Sequence, residues 1–147
     1  MRRSIRVAAP LLAVYCLLLL LALLWPTSTR QSAMVTWLGH VLSGLGAPHR
    51  YVEFGRLEVV MNAVIIAPVT LLATFVRPSY SWRDWTALAF CLACLVELAQ
   101  GLLLPARHAQ FSDIVANTLG ALLGALLGLG ARRLFVGKSS PSRQGHR

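Results

Sequence analysis

Four long stretches of the chain are almost free of charge. The first is Val7–Trp25, 19 residues with no charge. The second is Leu57–Val76, whose one charge, Glu58, sits next to its start. The third is Trp85–Leu104, with the single charge Glu97, and the fourth is Ile114–Ala131, with none. A bilayer core of about 30 Å needs roughly 20 helical residues at about 1.5 Å each. All four stretches meet that length. Together they fill about half of the 147 residues and leave too little polar surface to wrap a soluble core. The pattern predicts an all-α, polytopic membrane protein with four transmembrane helices over about 7–25, 57–76, 85–104 and 114–131. A single membrane domain, 1–131, precedes a small, polar, basic tail, 132–147, which reads as disordered.

The longest loop, 26–56, carries Met34, Val35, Trp37, Leu38, Val41, Leu42 and Leu45 at helical spacing, with Thr36, His40 and Ser43 between them. This predicts a short amphipathic helix in the outer membrane interface, N-capped by Ser32 and ended by Gly44-Leu-Gly-Ala-Pro48. Pro10 is expected in the first turn of span one, and Pro68 in mid-span two is expected to kink the helix. The run after Arg2, Arg3 and Arg6 exceeds a secretory h-region and has no A-x-A site after it, so it reads as an uncleaved anchor.

Composition sharpens this picture. Residues are 56% hydrophobic and only 13% charged, where a soluble domain has about a quarter charged. The net charge of +9 could point to nucleic acid, but the basic residues are placed otherwise. Ten of the 14 flank the first span on its N-terminal side, lie between spans two and three, or follow span four. The other four, Arg30, Arg50, Arg56 and Arg107, lie on the opposite side. Positive-inside bias then puts both termini in the cytoplasm and accounts for most of the basic charge without nucleic acid. Arg132 and Arg133, directly after span four, are also placed to touch anionic lipid. Cys16, Cys91 and Cys94 lie within spans and read as small apolar residues, and no second Cys/His pair completes a zinc site with Cys91 and Cys94. His40 and His49 read as interfacial polar residues. No metal and no cofactor is expected.

Polar residues inside a bilayer are costly and normally face protein. Glu58 and Asn62 are four apart in span two, Glu97 and Gln100 three apart in span three, and Asp113 and Asn117 four apart at the start of span four. The predicted topology puts all three pairs in the outer half of the membrane. The loop that joins spans three and four lets Arg107 hang over them. At 100° per residue, Asp113, Asn117, Gly120, Gly124 and Gly128 fall within about 80° of arc. The glycines make overlapping G-x-x-x-G steps, a face for close packing inside the chain or in a homodimer.

The run Glu97-x-x-Gln100, Pro105-x-Arg107 and Asp113-x-x-x-Asn117-Thr118-x-Gly120 resembles the VanZ-like family of small bacterial membrane proteins. Asn62 through Pro68 resembles that family's second motif. The similarity covers about residues 55–131. The chain departs from the pattern at Ile66-Ala-Pro68-Val-Thr70, which lacks the Phe and Gly often found around the proline, and at Ala106, where a Gly often precedes the Arg. The resemblance implies a multi-pass protein of the bacterial plasma membrane. The founding member is linked to resistance to the glycopeptide teicoplanin, which implies a phenotype class and not a reaction.

Several uses of the cluster follow. As a binding or modulating protein, Arg107 would hold an anionic head group of a membrane lipid or lipid-linked envelope component, with Glu58, Glu97 and Asp113 orienting it. As a small intramembrane enzyme, it would use Glu97 as general acid or base, Asp113 as ionised partner and Arg107 to stabilise developing negative charge, in hydrolysis or group transfer on a lipid-linked substrate. No nucleophile with an adjacent base is evident, and Ser112 reads as the N-cap of span four. The polar groups would otherwise be interhelical glue. Transport would call for a dimer, and no inverted repeat is visible.

Overall fold

The structure is a computed structural model that describes residues 2–23, 29–103 and 110–137. It contains the helices α1 (Arg2–Leu23), α2 (Thr29–Gly44), α3 (His49–Val52), α4 (Phe54–Val76), α5 (Trp82–Leu103) and α6 (Phe111–Gly137). There is no strand among the described residues. Phe54–Val76, Trp82–Leu103 and Phe111–Leu134 are each long and apolar enough to cross a membrane. The apolar part of α1, Arg6–Ala22, is shorter than these three, and the end of the expected first span, 24–25, lies outside the described residues.

The starts of the later helices overrun the apolar runs. α4, α5 and α6 each begin three residues before the expected span. At α5 the cause is a capping box. The Ser81 backbone N–H donates to Asp84 Oδ2 at 2.8 Å, and the Asp84 N–H donates back to Ser81 Oγ at 3.4 Å. α2 ends in a Schellman turn. Gly46 takes φ +87°, its N–H donates to the Ser43 carbonyl, and the Ala47 N–H donates to that of Leu42. Ser32 and Ser112, expected as N-caps, lie inside α2 and α6, and Pro10 lies in the interior of α1, which starts at Arg2. α4 runs on through Pro68. α6 continues past Ala131 to Gly137, so 132–137 is helical where the sequence reads as tail. Residues 138–147 lie outside the described residues.

α6 is the spine. α4 packs along one side of it and α5 along another, while α1 covers α4 and α2 lies across the start of α4. α5 packs extensively against neither α4 nor α1. The α4–α6 contact is a seam of small residues. A Cβ on Gly120 would fall on the Ala63 carbonyl and 2.7 Å from its Cα. One on Gly124 would fall on the Ala67 carbonyl and the Thr70 hydroxyl, and one on Gly128 would lie 2.8 Å from the Leu71 carbonyl oxygen. Partner positions rise together along both helices, so α4 and α6 run parallel. Of the two uses open to the glycine face, the structure shows packing within the chain. Ala116, Ala121 and Ala125 are fully buried, and Thr74 is the largest side chain buried to that degree among the described residues. The bulky side chains point the other way: Leu119, Leu123, Leu126 and Leu127 of α6 are about half exposed, as are Leu92, Leu95 and Leu98 of α5. A core of small residues inside a coat of leucine is the arrangement lipid favours, since hydrocarbon gives no drive to bury leucine and rewards close backbone approach.

Polar bonds pin the seam. The Thr70 hydroxyl donates to the Ala121 carbonyl at 2.8 Å, across the helices. Arg132 Nη1 donates to the Thr74 carbonyl at 2.9 Å, and both its terminal nitrogens reach the Pro78 carbonyl at 3.2–3.3 Å. Arg132 thus caps the end of α4, whose last carbonyls have no partner within the helix. On the other side of α4, Tyr15 donates to the Ile65 carbonyl at 2.9 Å, one residue beyond the carbonyl that Pro68 leaves without its usual donor.

Candidate functional site

Because α4 and α5 both lean on α6 but not on each other, a cavity of about 500 Å³ remains between them, bordered also by α1 and α2. All six polar residues expected from the three helix pairs line it: Glu58 and Asn62 from α4, Glu97 and Gln100 from α5, Asp113 and Asn117 from α6. They gather at the end where α4 begins, α5 ends and α6 begins. The convergence has a simple origin. α4 and α6 run parallel and α5 returns between them, so residues early in α4 and α6 meet residues late in α5. Arg107, the one cation expected over this cluster, lies outside the described residues, as does the rest of loop 104–109.

Two carboxylates hold the helices in place. Asn62 Nδ2 donates to Asp113 Oδ1 at 2.9 Å and ties α4 to the first turn of α6. Glu97 is 5% exposed, and its Oε2 accepts the Gln110 backbone N–H at 2.8 Å, just ahead of α6. Both acids therefore sit at the N-terminus of α6, where unpaired N–H groups and the helix dipole favour negative charge. The other three residues are unspent. Glu58, Gln100 and Asn117 are half-buried, line the cavity and make no hydrogen bond or ion pair among the described residues. The six thus divide into three that are bonded, Asn62, Glu97 and Asp113, and three that face the cavity without a bond among the described residues.

Away from this end the walls turn apolar: Ile65, Ile66 and Val69 of α4 face Leu88, Leu92 and Val96 of α5. Cys16 of α1 lines the same cavity as a free thiol, while Cys91 is exposed and free. Trp85 lines the far end beside Tyr80, with ring centroids 5.1 Å apart. Its indole N–H is buried and makes no hydrogen bond among the described residues. His40 and His49 line a separate, smaller cavity of about 340 Å³ with Thr36 and Ser43. Among the described residues, no group of three or more His, Cys, Asp or Glu could hold a metal ion.

Two residues outside the expected set carry structural work. Arg132 reads in the sequence as a topology marker or lipid contact, and the structure uses it as the cap of α4. Nothing in its spacing gives this away, because the carbonyls it reaches lie more than fifty residues earlier. The Ser81–Asp84 box was readable as S-x-x-D ahead of an apolar run.

No curated protein and no solved structure matches the chain. The profile of the VanZ/LLP1 family does match, over residues 11–132. That span takes in the greater part of α1, all of α4 and α5, α6 as far as Arg132 and every residue of the polar cluster, so the chain belongs to the VanZ/LLP1 family.

Proposed function

We propose that this protein binds or modulates a lipid-linked component of the bacterial cell envelope, at the outer leaflet of the plasma membrane. The observation that carries the reading is the pair of ends of one cavity: Glu58, Gln100 and Asn117 stand unspent at one end of a groove whose remaining walls are apolar. An amphiphile fits such a site, with its head at the carboxylate and amides and its tail along the groove. The carboxylate and amide oxygens offer acceptors to a head group rich in hydroxyl or amine donors. Arg107, next along the chain, supplies the bidentate partner for an anionic linkage. In this reading α1 is the fourth span, both termini are cytoplasmic, and α2 lies in the outer interface with its exposed Met34 and Trp37, and Leu45 just after it, turned to lipid. Asp113 and Glu97 are engaged in holding helix ends, which favours a binding scaffold over an acid–base pair.

Cells test this. Glu58→Gln and Arg107→Ala at parental membrane abundance are expected to change the pool of lipid-linked envelope intermediates and to abolish any teicoplanin protection given by the parent. Variants that are normally abundant yet indistinguishable from the parent in both assays would sink the proposal. Accumulation of one intermediate in Glu97→Gln alone would favour turnover instead.

A further inference from the structure

The cavity runs along the spans, not across them. On α4 it extends from Glu58 to Ala73 and on α5 from Gln100 to Trp85, fifteen residue steps in each case. That is about 22 Å at about 1.5 Å per residue. One leaflet contributes only about half of the ~30 Å hydrocarbon core, or about 15 Å. The groove also begins below the surface, since Glu58 is four residues into α4 and Gln100 three residues before the end of α5. Its far part therefore lies in the opposite leaflet.

What lines that far part is largely apolar. Val69 on α4 and Ala89 on α5 are each eleven residues, about 16 Å, from the polar end, with Leu88 and Ala73 close by. Thr70 is there too, but its hydroxyl is spent on the Ala121 carbonyl. The indole N–H of Trp85, at the far end, makes no hydrogen bond among the described residues but is itself buried, so a hydrocarbon chain suits this stretch better than a polar head does. The missing α4–α5 packing leaves the groove open at its side, so a chain can enter from the bilayer.

We infer that the lipid taken by this groove has a hydrophobic chain that crosses the membrane midplane, of the polyisoprenoid class rather than an ordinary phospholipid acyl chain. The inference rests on the lipid-binding reading above and adds the chain length. It is tested with two probes that share a head group, geranyl phosphate and undecaprenyl phosphate, titrated against the full chain in phosphatidylcholine nanodiscs. The long probe is expected to bind about tenfold tighter or better, because only its chain reaches and packs against the far walls of the groove. Ala89→Trp and, separately, Val69→Trp, which fill the far part, are expected to bring the ratio of the two affinities towards one. Equal affinities for the two probes in the parent overturn the chain-length inference and leave lipid binding standing. A long-probe preference that both folded variants retain places the chain elsewhere and also overturns it. No binding of either probe overturns the lipid-binding reading itself.

Discussion

α4 shows two opposite kinds of contact on its two sides. Against α6 it is closed: Gly120, Gly124 and Gly128 let backbones meet, and the Thr70 hydroxyl and the Arg132 guanidinium find carbonyl partners. Against α5 it is open: a cavity of about 500 Å³ separates the helices, and Glu58, Gln100 and Asn117 face it without partners among the described residues. A membrane helix gains stability from close packing and satisfied polar groups. The open side gives up both, and it does so where the polar residues converge. The difference separates the residues that hold the helices together from those that face the cavity without partners among the described residues.

Substitutions can break this contrast. The largest effect is expected at the seam. In Gly124→Val the new side chain collides with the Ala67 backbone, which cannot rotate away as a side chain would. A loss of about 3 kcal/mol or more is expected, the top of the overpacking range, read as loss of membrane abundance and of reversible unfolding in mixed micelles. Next comes Arg132→Met. It removes a charged donor from the Thr74 and Pro78 carbonyls while keeping the apolar stem, and about 2 kcal/mol is expected. An unchanged midpoint would show that the cap does not hold α4. Smaller again is the Asn62–Asp113 bond. A double-mutant cycle with Asn62→Leu and Asp113→Asn is expected to give a coupling of about 0.6 kcal/mol, and no more than about 1.7. The smallest stability effect is expected on the open side. Gln100→Leu removes no bond among the described residues and should stay within about 0.5 kcal/mol of the parent. If it proves as damaging as Gly124→Val, the division into closed and open sides is wrong.

Much of this was legible in the residues. Charge-free length marks the helices of α4, α5 and α6, and the period of α6 already puts Asp113, Asn117 and the three glycines on one face. The expense of polar groups in hydrocarbon singles out the six residues that line the cavity. What periodicity does not encode is which helices touch. The spacing of α5 gives no sign that it leans on α6 and leaves α4 free, so the groove and its length emerge only in three dimensions. Arg132 was hidden for a related reason: a basic residue at a helix end has an adequate explanation in topology, and its acceptors are remote in sequence. The start of α5 at Trp82 lies three residues ahead of the apolar run because the Ser81–Asp84 cap, not hydrophobicity, sets it.

The central claim is that the open side of α4 holds a lipid by the polar residues at its mouth. Native mass spectrometry of the purified chain measures this most directly, comparing the parent with Gln100→Leu/Asn117→Leu. The parent is expected to retain a lipid adduct that survives release from detergent, and the equally folded double variant is expected to lose it. A parent with no adduct, or an adduct retained undiminished by the double variant, would contradict the account.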